Sequence, residues 1–371
     1  MARVAVLHNT LDFQGGADRV ALTACSCLSR THDVDLVTIS ETDHKSLAER
    51  FGLDVDVRLC EPSWSRTIAS VLARFAPHIG AQLALRSAIV KRAFDPIATE
   101  YELVVSTTNE LSLPIPSVQY VHFPQFELHR LADAEPGRIN RIWSRVAAPT
   151  DISEHRLATY VANSAWTADA FEHIYGLRPR VLYPPVCPIP TVLDWEAREQ
   201  GIVLLGRIAP DRRVHAAIEI VDRLRGRGYD LHLHLVGSAP RAYRQYHRAV
   251  RRLVATRSYV TIETDVPRSR IVDLLGTHRY GLNVRPRESF GIAVAEYVAA
   301  GMIPFAPNAG GQREILQGRG DRLFTDPSDA VEKLARAIDE RHRPEFSPNR
   351  FRPERFERGL SRLVAARLGE S

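Results

Sequence analysis

Short apolar strands alternate with helical stretches twice along this chain of 371 residues, and that alternation limits the fold more than any other feature. The first half contains the predicted strands Arg3–Leu7, Val34–Ile39, Val55–Leu59, Leu103–Ser106, Ser117–Val121, Tyr160–Ala162 and Arg180–Leu182. The second half contains the predicted strands Gly201–Gly206, Leu231–Val236, Tyr259–Glu263, Gly281–Val284 and Ile303–Ala306. Strands separated by helices form parallel sheets in α/β proteins. The sequence therefore predicts two α/β domains with parallel sheets.

A proline-rich segment separates the two halves. Pro184-Pro185 and Pro188-Ile-Pro190 make a stiff link, because proline restricts rotation of the backbone. We therefore expect one domain over residues 1–190 and a second over 191–350, with a terminal helix within 351–371.

The composition is that of a globular protein from a reducing compartment. Hydrophobic residues make up 44% of the chain and charged residues 25%, which are ordinary values for a globular domain. The four cysteines form no CxxC pair, no apolar run reaches membrane-spanning length, and no signal peptide is apparent. The sequence also lacks the P-loop, the serine-esterase elbow and the dinucleotide-binding glycine motif. We therefore expect a cytoplasmic protein outside those three enzyme classes.

The basic segment over residues 66–92 indicates what kind of surface the protein could bind. The whole chain has a formal net charge of +5. The basic residues of the segment are Arg66, Arg74, Arg86, Lys91 and Arg92. These basic residues are interspersed with apolar residues at helical spacing, a pattern typical of a helix that docks on an anionic membrane. The expected surface is the inner face of the membrane. The alternative is two helices that pack on the core and expose their arginines. No basic motif interleaved with aromatic residues is present, so nucleic acid is not an expected partner.

Two carboxylates eight positions apart mark the strongest candidate site. Glu288 and Glu296 bracket the start of a predicted helix, Phe290–Ala300, which Gly301 would end. Eight residues of helix extend about 12 Å, similar to the length of a sugar diphosphate with its ribose. The N–H groups of a helix start suit a diphosphate, and a carboxylate two turns later suits ribose hydroxyls. The alternative is that one carboxylate caps the helix start and the other lies on the solvated face of the helix.

The chain resembles glycosyltransferase family 4, whose members are retaining enzymes of GT-B fold. The stretch Glu288-Ser-Phe-Gly-Ile-Ala-Val-Ala-Glu296 with Gly310-Gly-Gln-Arg-Glu314 resembles the Glu-x7-Glu signature and glycine loop of that family. Further similar segments are Gly206-Arg-Ile-Ala-Pro-Asp-Arg212, Asn163-Ser-Ala-Trp-Thr, Val181-Leu-Tyr-Pro-Pro-Val186, Gly15-Gly-Ala-Asp-Arg19 and Tyr120-Val-His-Phe-Pro124. The resemblance implies two facing Rossmann-like domains, with the terminal helix packing back on the first. It also implies that no metal or other cofactor is required.

The resemblance also implies roles for individual residues. Arg207 and Arg212 would bind the diphosphate, although the family usually has lysine at the second position and Arg213 is adjacent. Glu288 would contact the donor sugar and Glu296 the ribose. His122 would face the transferred sugar. The backbone N–H groups of Phe290, Gly291 and Ile292 would bind oxygens of the sugar or the phosphate. The Gly15-Gly16 loop would approach the diphosphate, and Asp18 after it replaces the more usual glutamate.

The implied function is transfer of a hexose, mannose or glucose, from a GDP- or UDP-linked sugar to a hydroxyl of a glycan or lipid-linked acceptor. The motif blocks lean toward mannosyltransferases that act on lipid-linked oligosaccharides. The alternatives are a GT-B epimerase or hydrolase of sugar nucleotides, and a membrane-associated protein that binds sugar nucleotides without catalysis.

Three patterns fit metal ligands only weakly. Asp33-Val-Asp35 and Asp54-Val-Asp56 have the spacing of metal-dependent transferases, but both lie in apolar, alternating segments. His232 and His234 share one face of a strand, and the sequence offers no third ligand at a suitable spacing. We therefore expect no metal site.

Overall fold

The computed structural model describes residues 1–79, 82–131, 157–190, 193–240 and 243–370. It divides the chain into two compact units. The first unit comprises Met1–Pro185 and Pro353–Ser371, and the second comprises Val186–Arg352. Gly80, within the basic segment, lies outside the described residues.

The first unit is built on a parallel sheet of seven strands within the described residues. The strands are β1 (Arg3–Leu7), β2 (Asp33–Val37), β3 (Arg58–Cys60), β4 (Leu103–Ser106), β5 (Ser117–Val121), β6 (Ala158–Ala162) and β7 (Arg180–Val181). Their order in the sheet is β3-β2-β1-β4-β5-β6-β7. The helices that precede or connect them are α1 (Gly16–Leu28), α2 (His44–Phe51), α3 (Ser65–Ile79), α4 (Leu83–Phe94) and α5 (Ala165–Tyr175).

The second unit repeats this design with six parallel strands in the part of the chain that the structure describes. The strands are β8 (Glu199–Leu205), β9 (His232–Gly237), β10 (Val260–Thr264), β11 (His278–Leu282), β12 (Ile303–Pro307) and β13 (Leu323–Phe324), in the order β10-β9-β8-β11-β12-β13. The helices are α6 (Val214–Gly226), α7 (Arg244–Val254), α8 (Arg268–Thr277), α9 (Ile292–Ala299), α10 (Gln312–Ile315) and α11 (Pro327–Asp339). Two Rossmann-like units with parallel sheets confirm the predicted fold class.

The last helix, α12 (Pro353–Leu368), belongs to the first unit although it follows the second in sequence. Phe356, Leu360 and Val364 are spaced four residues apart, so they lie on one face of the helix. All three are buried in the same apolar cluster as strands β1, β4 and β5 of the first unit. Burial of an aromatic and two aliphatic side chains stabilises this docking by several kcal/mol, at about 1.5–3 kcal/mol for each fully buried side chain.

Most predicted elements have bounds shifted by one or two residues, the helix predicted over Phe290–Ala300 covers Ile292–Ala299, and three differences are more informative. Strand β3 covers Arg58–Cys60 rather than 55–59, because Asp35 on β2 binds Arg58 and fixes the pairing of the two strands. Strand β11 begins at His278, three residues before the predicted start. Arg86 of the basic segment is only 2% exposed and lies near Asp12, so it cannot face a membrane.

Candidate active site

Polar residues gather where β8 and β11 end in the second unit. These adjacent strands mark the point at which the strand order reverses, and open α/β sheets bind ligands at such points. Arg207 follows β8, whereas Arg285 and Glu288 follow β11. The fold therefore brings the predicted Arg207 and Glu288 to the same edge of one sheet and adds Arg285 to them.

Arginines and carboxylates form a linked cluster at this edge. Arg212 Nη1 donates to Glu288 Oε2 at 2.6 Å. Arg285 Nη1 lies 3.2 and 3.3 Å from the two oxygens of the same carboxylate. Asp211 Oδ2 is 3.6 Å from Arg207 Nη2 and also 3.6 Å from Arg285 Nε. Three guanidinium groups thus share two carboxylates, and the resulting net charge of +1 favours an anionic ligand.

Arg212, rather than the adjacent Arg213, belongs to this cluster. The Arg212 side chain is 20% exposed, whereas Arg213 is exposed and precedes the first turn of α6. The Nε atom of Arg212 is buried and has no hydrogen-bond partner among the described residues. A buried donor without a partner is costly, so an oxygen of a phosphate ligand would relieve that cost.

The start of α9 is held in place next to the cluster. Gly291 has φ +105°, a conformation that side chains rarely permit, and the helix begins at the next residue, Ile292. Phe290 is buried and packs edge-on against Phe351, with ring centroids 5.2 Å apart. The first N–H groups of α9 therefore have a fixed direction, and they lack partners inside the helix.

A glycine loop supports Glu288 through its backbone. Gly311 N donates to the Glu288 carbonyl oxygen at 2.8 Å. A Cβ atom at Gly310 would lie 2.4 Å from the same oxygen, so only glycine fits there. This close contact explains why a Gly-Gly pair follows the carboxylate pair in the sequence.

Glu296 lies on α9 and is 5% exposed. Arg268, at the start of α8, binds Glu296 Oε1 through Nη2 at 2.7 Å. The adjacent Tyr297 hydroxyl accepts from Leu205 N at 2.7 Å and donates to Leu282 O at 3.2 Å. These two bonds join α9 to the ends of β8 and β11, so they set the position of Glu296.

In the first unit, His122 follows β5 on a tightly held backbone. Asn109 Oδ1 accepts from His122 N at 2.7 Å, and Asn163 Nδ2 donates to His122 O at 2.9 Å. The Nε2 atom of the ring is buried and has no hydrogen-bond partner among the described residues. Burial, followed by the nearby His8 ring, lowers the pKa of His122 to about 3. The imidazole is therefore neutral at pH 7 and offers one donor and one acceptor nitrogen.

The Gly15-Gly16 loop of the first unit is held by residues that sequence reasoning did not connect. Asp18 is buried and accepts from Gly15 N at 2.9 Å. Its other oxygen lies 2.9 Å from His8 Nε2, and His8 Nδ1 lies 2.9 Å from Thr107 Oγ1. Asp18 therefore fixes the loop through its backbone. His8 follows β1 and Thr107 follows β4, so these contacts connect the ends of two different strands. No local sequence pattern reveals such a connection.

One aspartate of each Asp-x-Asp pattern is paired with a neighbouring cation. Asp35 is 1% exposed and is bonded to Arg58, Arg3 and Tyr101. Hydrogen bonds from Arg58 and Tyr101 outweigh burial and lower the pKa of Asp35. Asp56 pairs with Lys45 on the surface. Both aspartates are thus engaged in ion pairs with neighbouring cations.

The structure therefore places the candidate residues in two sets. The second unit holds Arg207, Arg212, Glu288, Phe290, Gly291, Ile292 and Glu296, and the first unit holds Gly15, Gly16 and His122. Arg285 and Arg268 are additions to the second set. Arg285 lies in an arginine-rich stretch that sequence analysis could have included, whereas Arg268 has no such signal.

One protein family matches the second half of the chain. Residues 190–354 match the family model of glycosyl transferases group 1. The match covers nearly the whole of the second unit. The resemblance predicted from the motifs is thereby confirmed, and the matched range contains every candidate residue of the second set.

The relatives that this chain matches share one name. The chain is 25% identical over 234 residues to GDP-Man:Man(3)GlcNAc(2)-PP-Dol alpha-1,2-mannosyltransferase from Yarrowia lipolytica, over 54% of this chain and 36% of that protein. It is 26% identical over 197 residues to the protein of the same name from Xenopus tropicalis, over 48% of this chain and 40% of the relative. The matches therefore span less than half the length of these relatives.

Solved structures extend the fold comparison to the whole chain. Anabaena Alr3699/HepE in complex with UDP and glucose has a TM-score of 0.70 at 15% identity, covering 99% of this chain and 100% of that one. Sucrose-phosphate synthase from Thermosynechococcus elongatus has a TM-score of 0.71 at 13% identity and covers 100% of both chains. These likenesses establish the fold. Among the described residues, no helix is long and apolar enough to cross a membrane.

Proposed function

We propose that this protein transfers a hexose from a nucleoside diphosphate sugar to a hydroxyl of a lipid-linked oligosaccharide. The observation that carries the proposal is the arginine cluster at the start of α9, inside a group 1 glycosyltransferase domain. GDP-mannose is the first donor to test, because the relatives are named as GDP-mannose enzymes. UDP-glucose is the second, because a solved neighbour was crystallised with it.

In this proposal the cluster binds the diphosphate and stabilises it as it leaves. The bond between the sugar C1 and the phosphate oxygen breaks, and a bond from the acceptor oxygen to C1 forms. The acceptor proton passes to the departing phosphate oxygen on the same face of the sugar, so the anomeric configuration is retained. Arg207, Arg212 and Arg285 supply positive charge where the phosphate develops negative charge. No catalytic metal takes part in the proposed step.

The two glutamates have separate roles in the proposal. Glu288 is already held by two arginines, so its carboxylate has a fixed orientation toward hydroxyls of the sugar. Glu296 accepts hydrogen bonds from the ribose hydroxyls. Arg268 holds one oxygen of the Glu296 carboxylate in position for these bonds. His122 is assigned to the transferred sugar because of the family resemblance and because its buried ring is neutral.

We also propose contact with an anionic, inner-face membrane surface through the exposed part of residues 66–92. Arg66 and Arg74 on α3 are exposed, and Trp64 and Val71 nearby are 42% and 46% exposed. Arginines beside exposed apolar side chains suit an anionic interface. Replacing Arg66 and Arg74 by serine should reduce sedimentation with anionic vesicles, while the buried Arg86 takes no part. Equal sedimentation of the variant and the wild type would contradict this surface.

Donor binding provides the test of function. A thermal-shift panel should contain GDP, UDP and ADP with their common sugar conjugates, all in a constant concentration of EDTA. A ligand that binds the native protein raises the unfolding midpoint by mass action. We expect one base family to raise it in the wild type and the shift to shrink in Glu296→Gln. The matched control is Glu219→Gln, an exposed acid on α6.

The outcomes of this panel separate the proposal from its alternatives. A shift that is equal in Glu296→Gln and Glu219→Gln would contradict the assignment of Glu296. A protein that no nucleotide stabilises would contradict the donor site as a whole.

A further inference from the structure

Three histidines meet on one face of the second-unit sheet, away from the candidate active site. His232 and His234 lie on β9 and His278 lies on β11, with β8 between these strands. One ring nitrogen from each residue lies within 4.8 Å of the others. The expectation that no third histidine accompanies His232 and His234 was therefore wrong. The third comes from a strand 44 residues later in the sequence, as the residue numbers show.

A glycine on the intervening strand makes room for these rings. Gly201 on β8 pairs in register with His232. A Cβ atom at Gly201 would lie 2.2 Å from His232 Nε2 and 2.4 Å from a ring carbon of His278. Any other residue would therefore displace the imidazoles, so β8 leaves a gap that the rings of its two neighbours fill.

Hydrogen bonds orient two of the three rings toward each other. His278 Nδ1 is 2.8 Å from the carbonyl oxygen of Leu274, which can only accept, so Nδ1 carries the proton and Nε2 has a free electron pair. His234 Nδ1 is 2.9 Å from Glu263 Oε1. Arg270 donates to both oxygens of this carboxylate at 2.7 and 3.0 Å, so the carboxylate acts as an acceptor and His234 donates to it through Nδ1. Metal-bound histidines are supported in this way by a carbonyl or a carboxylate.

Two of the ring nitrogens in the cluster make no hydrogen bond within the part of the chain that the structure describes. The Nε2 atoms of His232 and His278 are buried without a hydrogen-bond partner among the described residues. His278 is only 2% exposed. A bound metal ion would satisfy both of these nitrogens.

A carboxylate lies at the open side of the three rings. Glu199 is the first residue of β8. Its Oε2 atom is 3.3 Å from His232 Nε2 and 3.9 Å from His278 Nε2. Three imidazoles and one carboxylate are a donor set that suits four-coordinate Zn²⁺.

We propose that His232, His234, His278 and Glu199 bind one zinc ion. Tetrahedral Zn–N bonds of about 2.0–2.1 Å place the ligand nitrogens roughly 3.3 Å apart, so the rings need to move together by about an ångström. Glu199, His232 and His278 are the first residues of their strands, whereas Arg207 and Arg285 follow the opposite ends. Six residue steps along β8 separate these edges by about 20 Å. The ion is therefore structural and takes no part in transfer.

Metal titration of the untagged, chelator-stripped protein tests this site. We expect calorimetry to give one Zn²⁺ per chain, and Zn²⁺ to raise the thermal midpoint. Co²⁺ should give the visible absorption of a tetrahedral nitrogen and oxygen site, which Zn²⁺ then displaces. His234→Gln and His278→Gln should abolish this binding, whereas His247→Gln, a histidine on α7 outside the cluster, should retain it.

Glu263→Gln provides a variant that keeps all four ligands. It removes the charge that orients His234, and loss of such a supporting group lowers metal affinity by about 10- to 100-fold. Failure of the wild type to bind stoichiometric Zn²⁺ would overturn the proposal, whatever the variants do. Equal Zn²⁺ affinity in the wild type and Glu263→Gln, with no tetrahedral Co²⁺ spectrum, would also overturn it.

Discussion

Replacement of Arg212 by alanine should weaken nucleoside diphosphate binding more than it weakens the fold. Arg212 binds Glu288 at 2.6 Å, but Glu288 keeps Arg285 as a second partner. The carboxylate is therefore not left alone, and for a partly exposed pair we expect a loss of unfolding free energy of about 1 kcal/mol. A charge-assisted bond from Arg212 to the diphosphate contributes about 2–3 kcal/mol. Its loss should raise the Kd for the nucleotide by roughly 30- to 150-fold.

Calorimetry with GDP and UDP should be run on the wild type, Arg212→Ala, Glu288→Gln and the double variant. If Arg212 binds the diphosphate itself, the loss of affinity will persist when Glu288 is already replaced. Urea unfolding of the same four proteins measures the change in stability separately. The matched control is Arg213→Gln, since Arg213 is exposed beside the same turn.

One result would refute this reasoning directly. If Arg212→Ala loses stability but binds both nucleotides as tightly as the wild type, Arg212 serves only to hold Glu288. A similar affinity loss in Arg213→Gln would instead show a general effect of positive charge in this turn.

Three further predictions concern the two glutamates, metal chelation and pH. Glu296→Gln should weaken donor binding whereas Glu288→Gln should mainly lower turnover, and steady-state kinetics with wild-type values for both would contradict these roles. EDTA should lower the thermal midpoint of the zinc-loaded protein but leave initial transfer rates intact, and abolition of transfer with rescue by Mn²⁺ would contradict the metal-free mechanism. Burial raises the pKa of Glu110 to about 7, so its stabilising contribution is present below the unfolded pKa near 4.5 and is lost as the pH rises through 7. From about pH 5 to pH 8 the wild type should therefore lose about 2–3 kcal/mol of unfolding free energy relative to Glu110→Gln. If urea unfolding gives the two proteins the same change in unfolding free energy over this pH range, the raised pKa is disproved.

Patterns within the sequence predicted the parts of the fold that depend on local residues. Alternating apolar strands and helices predicted two parallel sheets, and Gly301 correctly marked the end of α9 because it adopts φ +64° there. The strand at 55–59 was misplaced, since an ion pair between Asp35 and Arg58 decides where β3 pairs. Such a pair joins distant segments and leaves no periodic signal.

The same distinction applies to the candidate sites. Arg207, Arg212, Glu288 and Glu296 lie within motifs that a reader of the sequence can recognise. Arg268 becomes a partner of Glu296 only when α8 packs beside α9. The third histidine of the metal cluster was missed for the same reason, because strand order brings β9 and β11 to either side of Gly201.

The most direct measurement of the central claim is a transfer assay with GDP-mannose and UDP-glucose, each with and without a polyprenyl-diphosphate-linked oligosaccharide. The account predicts that one donor is consumed only when the acceptor is present, and that the new linkage has the anomeric configuration of the donor. Release of sugar or its epimer at the same rate without acceptor would instead identify a hydrolase or epimerase. A protein that binds a donor but consumes none under either condition would contradict catalysis.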